Sequence, residues 1–257
     1  MDVKNNRRNL RVETELIRYI EREFHAKYYD ITALDFSKNR KALKYINGVI
    51  TKLTKPIFFF VKPDLGASMR SMEMEDVCYF ILMRGEPSTS RELTEIAHEF
   101  GHLFYGEKGY PRAVVVNGEY ANIERATIIS NAVMDPLINR DLHNAGLDIV
   151  EYMQDAIKVQ ATELMFGYPE YSKLDKYQRN HIKCLIIEKI QEWDIIRNAI
   201  PNVFVEIADK KYKRILMESR NFVKRINATG TNNPEKCKKL LEMLTKENNI
   251  SDEILIV

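Results

Sequence analysis

The chain has 257 residues, 45% hydrophobic and 30% charged, with 10 Gly and 8 Pro, which excludes low-complexity, collagen-like and largely disordered polypeptides and leaves material for one large domain or two small ones. Lys and Arg total 39 against 37 Asp and Glu, a formal net charge of +2, so no domain-scale excess of charge argues for nucleic acid as a partner. The longest apolar runs, Ile57 to Val61 and Val77 to Met83, fall far short of the roughly 20 residues that span a bilayer.

The amino-terminal MDVKNNRRNL carries charge with no apolar segment behind it, so no secretory signal is expected and the cytoplasm is the expected compartment. Cys78, Cys184 and Cys237 are scattered and no CxxC occurs, which fits reduced intracellular thiols better than a disulfide framework.

From Leu10 to Tyr28, Val12, Leu16, Ile17, Ile20 and Phe24 recur at helical spacing, and a second helix is predicted from Ser37 as cap to about Leu53. The period then changes. The block from Pro56 to Pro63 and the block from Asp76 to Arg84 are short, apolar and rich in aromatic or branched residues, which predicts strands joined through a loop or hairpin over Asp64 to Glu75. Thr89 with Glu92 three residues on forms a capping box for a helix to about Tyr105. A third strand is predicted over Arg112 to Asn117.

Beyond that the texture is helical: Ile123 to Asn144, Ile149 to Phe166, Asp175 to Ala199, Pro201 to Ile226 and Pro234 to Asn248, punctuated by Gly146, Gly167-Tyr-Pro169, Pro201 and the turn at 228–233. A mixed first half and a helical second half predict an α+β fold, a small sheet with the His-Glu helix followed by mostly helical structure. The expected division is residues 1–145 as one domain and 146–257 as a helical extension.

The chemistry concentrates in His98-Glu99-Phe100-Gly101-His102. On a helix, residues four apart share a face, so both imidazoles can address one metal ion, for which zinc is expected. Glu99, offset by about 100°, is suited to act as general base rather than as a ligand. Apolar neighbours make an unpartnered imidazole pair costly there.

The motif, the strand ahead of it and the helices behind it resemble the zincin metallopeptidases over roughly residues 50 to 145. The resemblance implies a zinc-dependent peptidase acting on a peptide or protein substrate. In that fold an edge strand ahead of the metal helix pairs with an extended substrate. A catalytic zinc needs a third protein ligand, and two candidates follow.

Asp135 belongs to a four-residue stripe, Asn131, Asp135 and Asn139, inside an otherwise apolar helix. Glu124 lies 22 residues after His102. Eleven residues, roughly 16 Å of helix, separate the two, so only one can reach the ion.

The stretch Asn131 to Asn139 resembles a motif of bacterial and phage metallopeptidase-like proteins, which implies Asp135. A more distant similarity to the ImmA/IrrE family implies Glu124. We take Asp135 as the ligand, Glu124 as the alternative, and Asn131 and Asn139 as residues supporting the ligands. Pro136 is expected to kink the helix or restart it.

His143 is read as a surface residue near a helix end, and Tyr105, Tyr110 and Tyr120 flank the metal helix as possible oxyanion donors. The basic clusters at Lys210 to Arg214 and Lys236 to Lys239 are read as solvated helix faces. A competing reading from a different class is a non-catalytic, zinc-stabilised interaction or regulatory protein, such as one carried by a mobile element.

Overall fold

The computed structural model describes residues 3–74, 76–116, 120–196 and 203–257; for 3–12, 33 and 120–122 the description is confined to the backbone. The fold is α+β. Its contacts divide the chain into two compact units, Met1–Phe104 and Tyr105–Val257. The division falls earlier than the expected boundary near residue 145, because the helix over Tyr120–Asn144 packs within the second unit.

In the first unit, α1 (Val3–Phe24) ends sooner than its periodicity suggested. His25 takes a left-handed φ of 50° and turns the chain into β1 (Lys27–Tyr29), whose apolar–aromatic content had been absorbed into the predicted helix. Likewise α2 (Arg40–Ile50) starts three residues after Ser37. Its cap is Asn39, whose side chain accepts from the Ala42 amide and donates to Thr94 Oγ1 at 3.0 Å, pinning the start of α2 to the helix that carries His98 and His102. Ser37 instead lies in a 3-10 turn capped by Asp35.

The strands β2 (Ile57–Val61) and β4 (Cys78–Met83) form where predicted, as parallel neighbours. Half of the expected connection between them is itself a strand, β3 (Met69–Met74), a hairpin partner of β4. The sheet order is β1-β2-β4-β3. Consequently the strand directly ahead of the His98–His102 helix is interior, with all six residues buried, and the edge next to it belongs to β3.

One face of the sheet, Phe60, Cys78, Phe80 and Leu82, packs with Ile20, Leu16 and Phe24 of α1. The Phe24 and Phe80 rings meet edge-on at 5.0 Å. On the other face Phe59 meets Phe100 of α3 (Ser90–Glu107) at 6.0 Å. Cover on both faces explains why β4 reads as a continuous apolar run rather than an alternation.

The second unit is helical around α6 (Lys176–Ile196), which is buried almost all round from Ile182 to Glu192. It packs against α4 (Tyr120–Asn144) and α8 (Lys213–Thr229), while α5 (Ile149–Phe166) pairs with α7 (Val203–Lys211). The helix predicted over Pro201 to Ile226 is thus two within its described part, broken at Tyr212, whose side chain is fully buried and donates to the Pro169 carbonyl at 2.9 Å.

The strand β5 (Ala113–Val115) forms as predicted, but its partner β6 (Ile254–Ile256), beyond α9 (Pro234–Glu247), was not foreseen. Asn117, at the end of the predicted strand, and 197–200, at the end of the helix predicted to Ala199, lie outside the described residues. The three cysteines are free and buried. Among the described residues no helix is long and apolar enough to cross a membrane.

Candidate metal centre

Helix α3 is set by its capping box. Glu92 Oε2 accepts from the Thr89 amide at 2.9 Å, and Thr89 Oγ1 accepts from the Glu92 amide at 3.1 Å. From that start, Leu93, Ile96, Ala97 and Phe100 face the core and carry the register that places His98, at 4% exposure, one turn before the half-buried His102. Leaving water costs an imidazole its hydrogen bonds unless another partner replaces them.

The two Nε2 atoms stand 3.2 Å apart, with rings inclined at 77°. Two imidazoles binding one tetrahedral ion at about 2.0–2.1 Å require about 3.3 Å between their nitrogens, so the pair fits such an ion with little movement. Which ring nitrogen bears hydrogen depends on the tautomer.

Glu99 is engaged by the sheet. Its Oε2 accepts from the Ser71 amide of β3 at 2.6 Å. The register explains why that amide is available. Arg84 N–H donates to Ser68 O, and the pairs that exchange bonds in an antiparallel ladder alternate. Arg70 and Met72 therefore bond to β4, whereas Ser71 directs its amide outward from the sheet.

Helix α4 supplies the carboxylate. It runs unbroken through Pro136, neither ending nor restarting there. Proline lacks the N–H that would bond the Ala132 carbonyl. Gln191 Nε2 of α6 donates to that carbonyl at 2.8 Å and replaces the missing bond.

Asp135, one residue earlier, is half-buried, with Oδ1 screened from solvent. The ligand atoms of His98, His102 and Asp135 lie within 4.8 Å of one another, a two-imidazole, one-carboxylate set. Glu124 is not in this group; it is exposed near the head of α4, beside a cavity of the second unit.

The remaining expected participants divide. Asn139 is fully buried and donates to Glu192 Oε1 at 2.8 Å, so its polarity serves an internal network on α6. Asn131 is half-buried, and His143 is exposed near the C-terminal end of α4, as its position suggested. Tyr105 donates to Asp141 Oδ2 at 2.6 Å and stacks edge-on with Tyr110, while the side chain of Tyr120 lies outside the described residues.

Sequence reasoning missed the network that Asn139 enters. Lys189 bridges Glu188 Oε1 at 2.6 Å and Glu192 Oε2, all three being buried. Burial pushes the Glu188 carboxyl up to about 8; Lys189 pulls against this, while Glu192 and Asp135 add to it. The Lys189 ammonium is raised despite its burial, because two carboxylates face it. The usable signal was the run Glu188-Lys189 with Glu192, directly after the apolar stretch Cys184-Leu-Ile-Ile187.

The Lys210 to Arg214 cluster is not wholly a solvated face. Lys211 donates to the carbonyls of Met165 and Tyr168 at 2.8 and 2.7 Å, capping the end of α5. The chain matches no protein-family model, and neither a curated protein nor a solved structure shows significant similarity to it.

Proposed function

We propose that the protein is a zinc-dependent peptidase in which His98, His102 and Asp135 hold the ion and Glu99 is the general base. The observation that carries this reading is the convergence of the three ligating side chains beside a glutamate adjacent to the first histidine. Two neutral imidazoles and a carboxylate match a hydrolytic zinc donor set with one position left for solvent or substrate. Zinc bound there would act as a Lewis acid and lower the pKa of water.

Glu99 takes the proton of the attacking water and returns it to the leaving amine. The Ser71 amide fixes one carboxylate oxygen of Glu99, leaving Oε1 for the proton transfers. As the last strand of its sheet, β3 offers the outward backbone groups of alternate residues to an extended peptide.

The test compares wild type, Glu99→Gln and His102→Ala for zinc content and for cleavage of a mixed peptide library read by mass spectrometry. Glu99→Gln is expected to keep its zinc and lose hydrolysis by at least about 100-fold; His102→Ala is expected to lose the zinc. Undiminished cleavage by Glu99→Gln, or undiminished zinc binding by His102→Ala, would refute the reading. A wild type that holds zinc and cleaves nothing would move the site to an interaction or regulatory role.

A further inference from the structure

The second unit contains a cavity of about 210 Å³, bounded by the head of α4, the first turns of α6 and the segment after α5. A single water needs roughly 10–15 Å³ on this measure and drug-sized ligands occupy about 300–1,000 Å³. The space therefore suits a small molecule. Its floor is apolar, formed by Ile128, Ile129 and the buried thiol of Cys184. Tyr168 and His181 form a wall, their rings edge-to-face at 5.8 Å.

The polar lining favours one sign of charge. Arg125 is spent on the protein itself: its guanidinium lies 3.4 Å over the Tyr177 ring and pairs with Glu253 at 3.3 Å. Asn180 donates one amide hydrogen to the Asn248 carbonyl at 2.9 Å, and its oxygen is an acceptor. Burial lowers the His181 pKa against the pull of Glu163 and Glu124, so the imidazole favours its neutral form.

Glu124, at the rim, has no cation paired with it among the described residues, and its field reaches both Tyr168 and His181. An uncompensated carboxylate and an aromatic wall around an apolar floor select a cation that carries hydrogen-bond donors.

We propose that this cavity binds a small organic ammonium, a primary or secondary amine whose charged head meets Glu124 and whose apolar body lies over Ile128, Ile129 and Cys184 beside Tyr168. Glu124 thereby gains a role that does not involve the metal. The inference is independent of the peptidase reading, since none of the residues it uses belongs to the His98, His102 and Asp135 group or is Glu99.

Ligand-observed NMR titration of the full chain tests it, with an amine series from isoamylamine to phenethylamine, the neutral isostere 2-phenylethanol, and the Glu124→Gln variant, whose exposed position spares the core. Saturable amine binding is expected, with the alcohol at least about tenfold weaker and Glu124→Gln reducing amine affinity about tenfold while leaving the alcohol unchanged. Amines no tighter than the alcohol, an unaffected Glu124→Gln variant, or no saturable binding across the series overturns the proposal.

Discussion

Lys189→Met probes the buried network of α6 directly. In the wild type one ammonium, 2% exposed, serves two buried carboxylates, Glu188 and Glu192, and Asn139 donates to the second. Methionine preserves most of the volume but leaves the two carboxyls facing one another without a cation. Breaking a buried ion pair by removing one partner costs about 3–5 kcal/mol, whereas replacing the whole group with neutral side chains is often neutral. At about 2–4 °C per kcal/mol for a unit of this size, the expected loss is about 6–20 °C in Tm.

Urea unfolding followed by circular dichroism gives the free energy itself. Lys189→Met combined with Glu188→Gln and Glu192→Gln is expected to regain most of it. The pH dependence carries a sign. Glu188 is pushed up to about 8 in the fold from an ordinary 4.5, so its contribution is fully present below pH 4.5 and lost as pH rises through 8. The Lys189→Met deficit should therefore shrink from pH 8 to pH 5, as the remaining carboxyls take up protons. A loss below about 1 kcal/mol at pH 8, or a deficit that ignores pH, would refute the account of a charged, buried network.

Asp135→Asn is expected to weaken zinc binding by more than about 100-fold in competition with a chromophoric chelator, since it removes a ligand and not merely a support; equal affinity would exclude Asp135 from the ion. Gln191→Leu strands the Ala132 carbonyl beside Pro136 and should cost about 1–3 kcal/mol in urea unfolding. Thr89→Ala, which removes half of the capping box of the metal helix, should cost about 1 kcal/mol in the same assay.

What the sequence made legible was local. The capping box, the spacing of His98 and His102, and the apolar blocks of β2 and β4 each depend on residues within a few positions of one another, and each appears as expected. What stayed hidden depends on partners distant in sequence. β3 has the composition of a polar connection, Met69-Arg-Ser-Met-Glu-Met74, and becomes a strand because β4 supplies a ladder. β6 needs β5, more than a hundred residues away, to form at all.

Pro136 shows how one distant residue changes the site's architecture. By local rules it should kink α4 or restart it, which would leave the direction of Asp135 unspecified. Gln191 supplies the Ala132 carbonyl with the hydrogen bond that proline cannot, and α4 is continuous from Asn131 through Asn139. Helix α6 holds that part of α4 on both sides of Asp135, through Gln191 to Ala132 and through Glu192 to Asn139. The polar stripe thus has two tasks at successive turns. Asp135 offers a carboxylate to the histidine pair, and Asn139 anchors the same helix to the buried charges. On this reasoning the Lys189 network is a support for Asp135 as well as a stability element. Lys189→Met should therefore weaken zinc binding even under conditions where the chain remains folded, and unchanged zinc affinity in the folded variant would confine the network to stability alone.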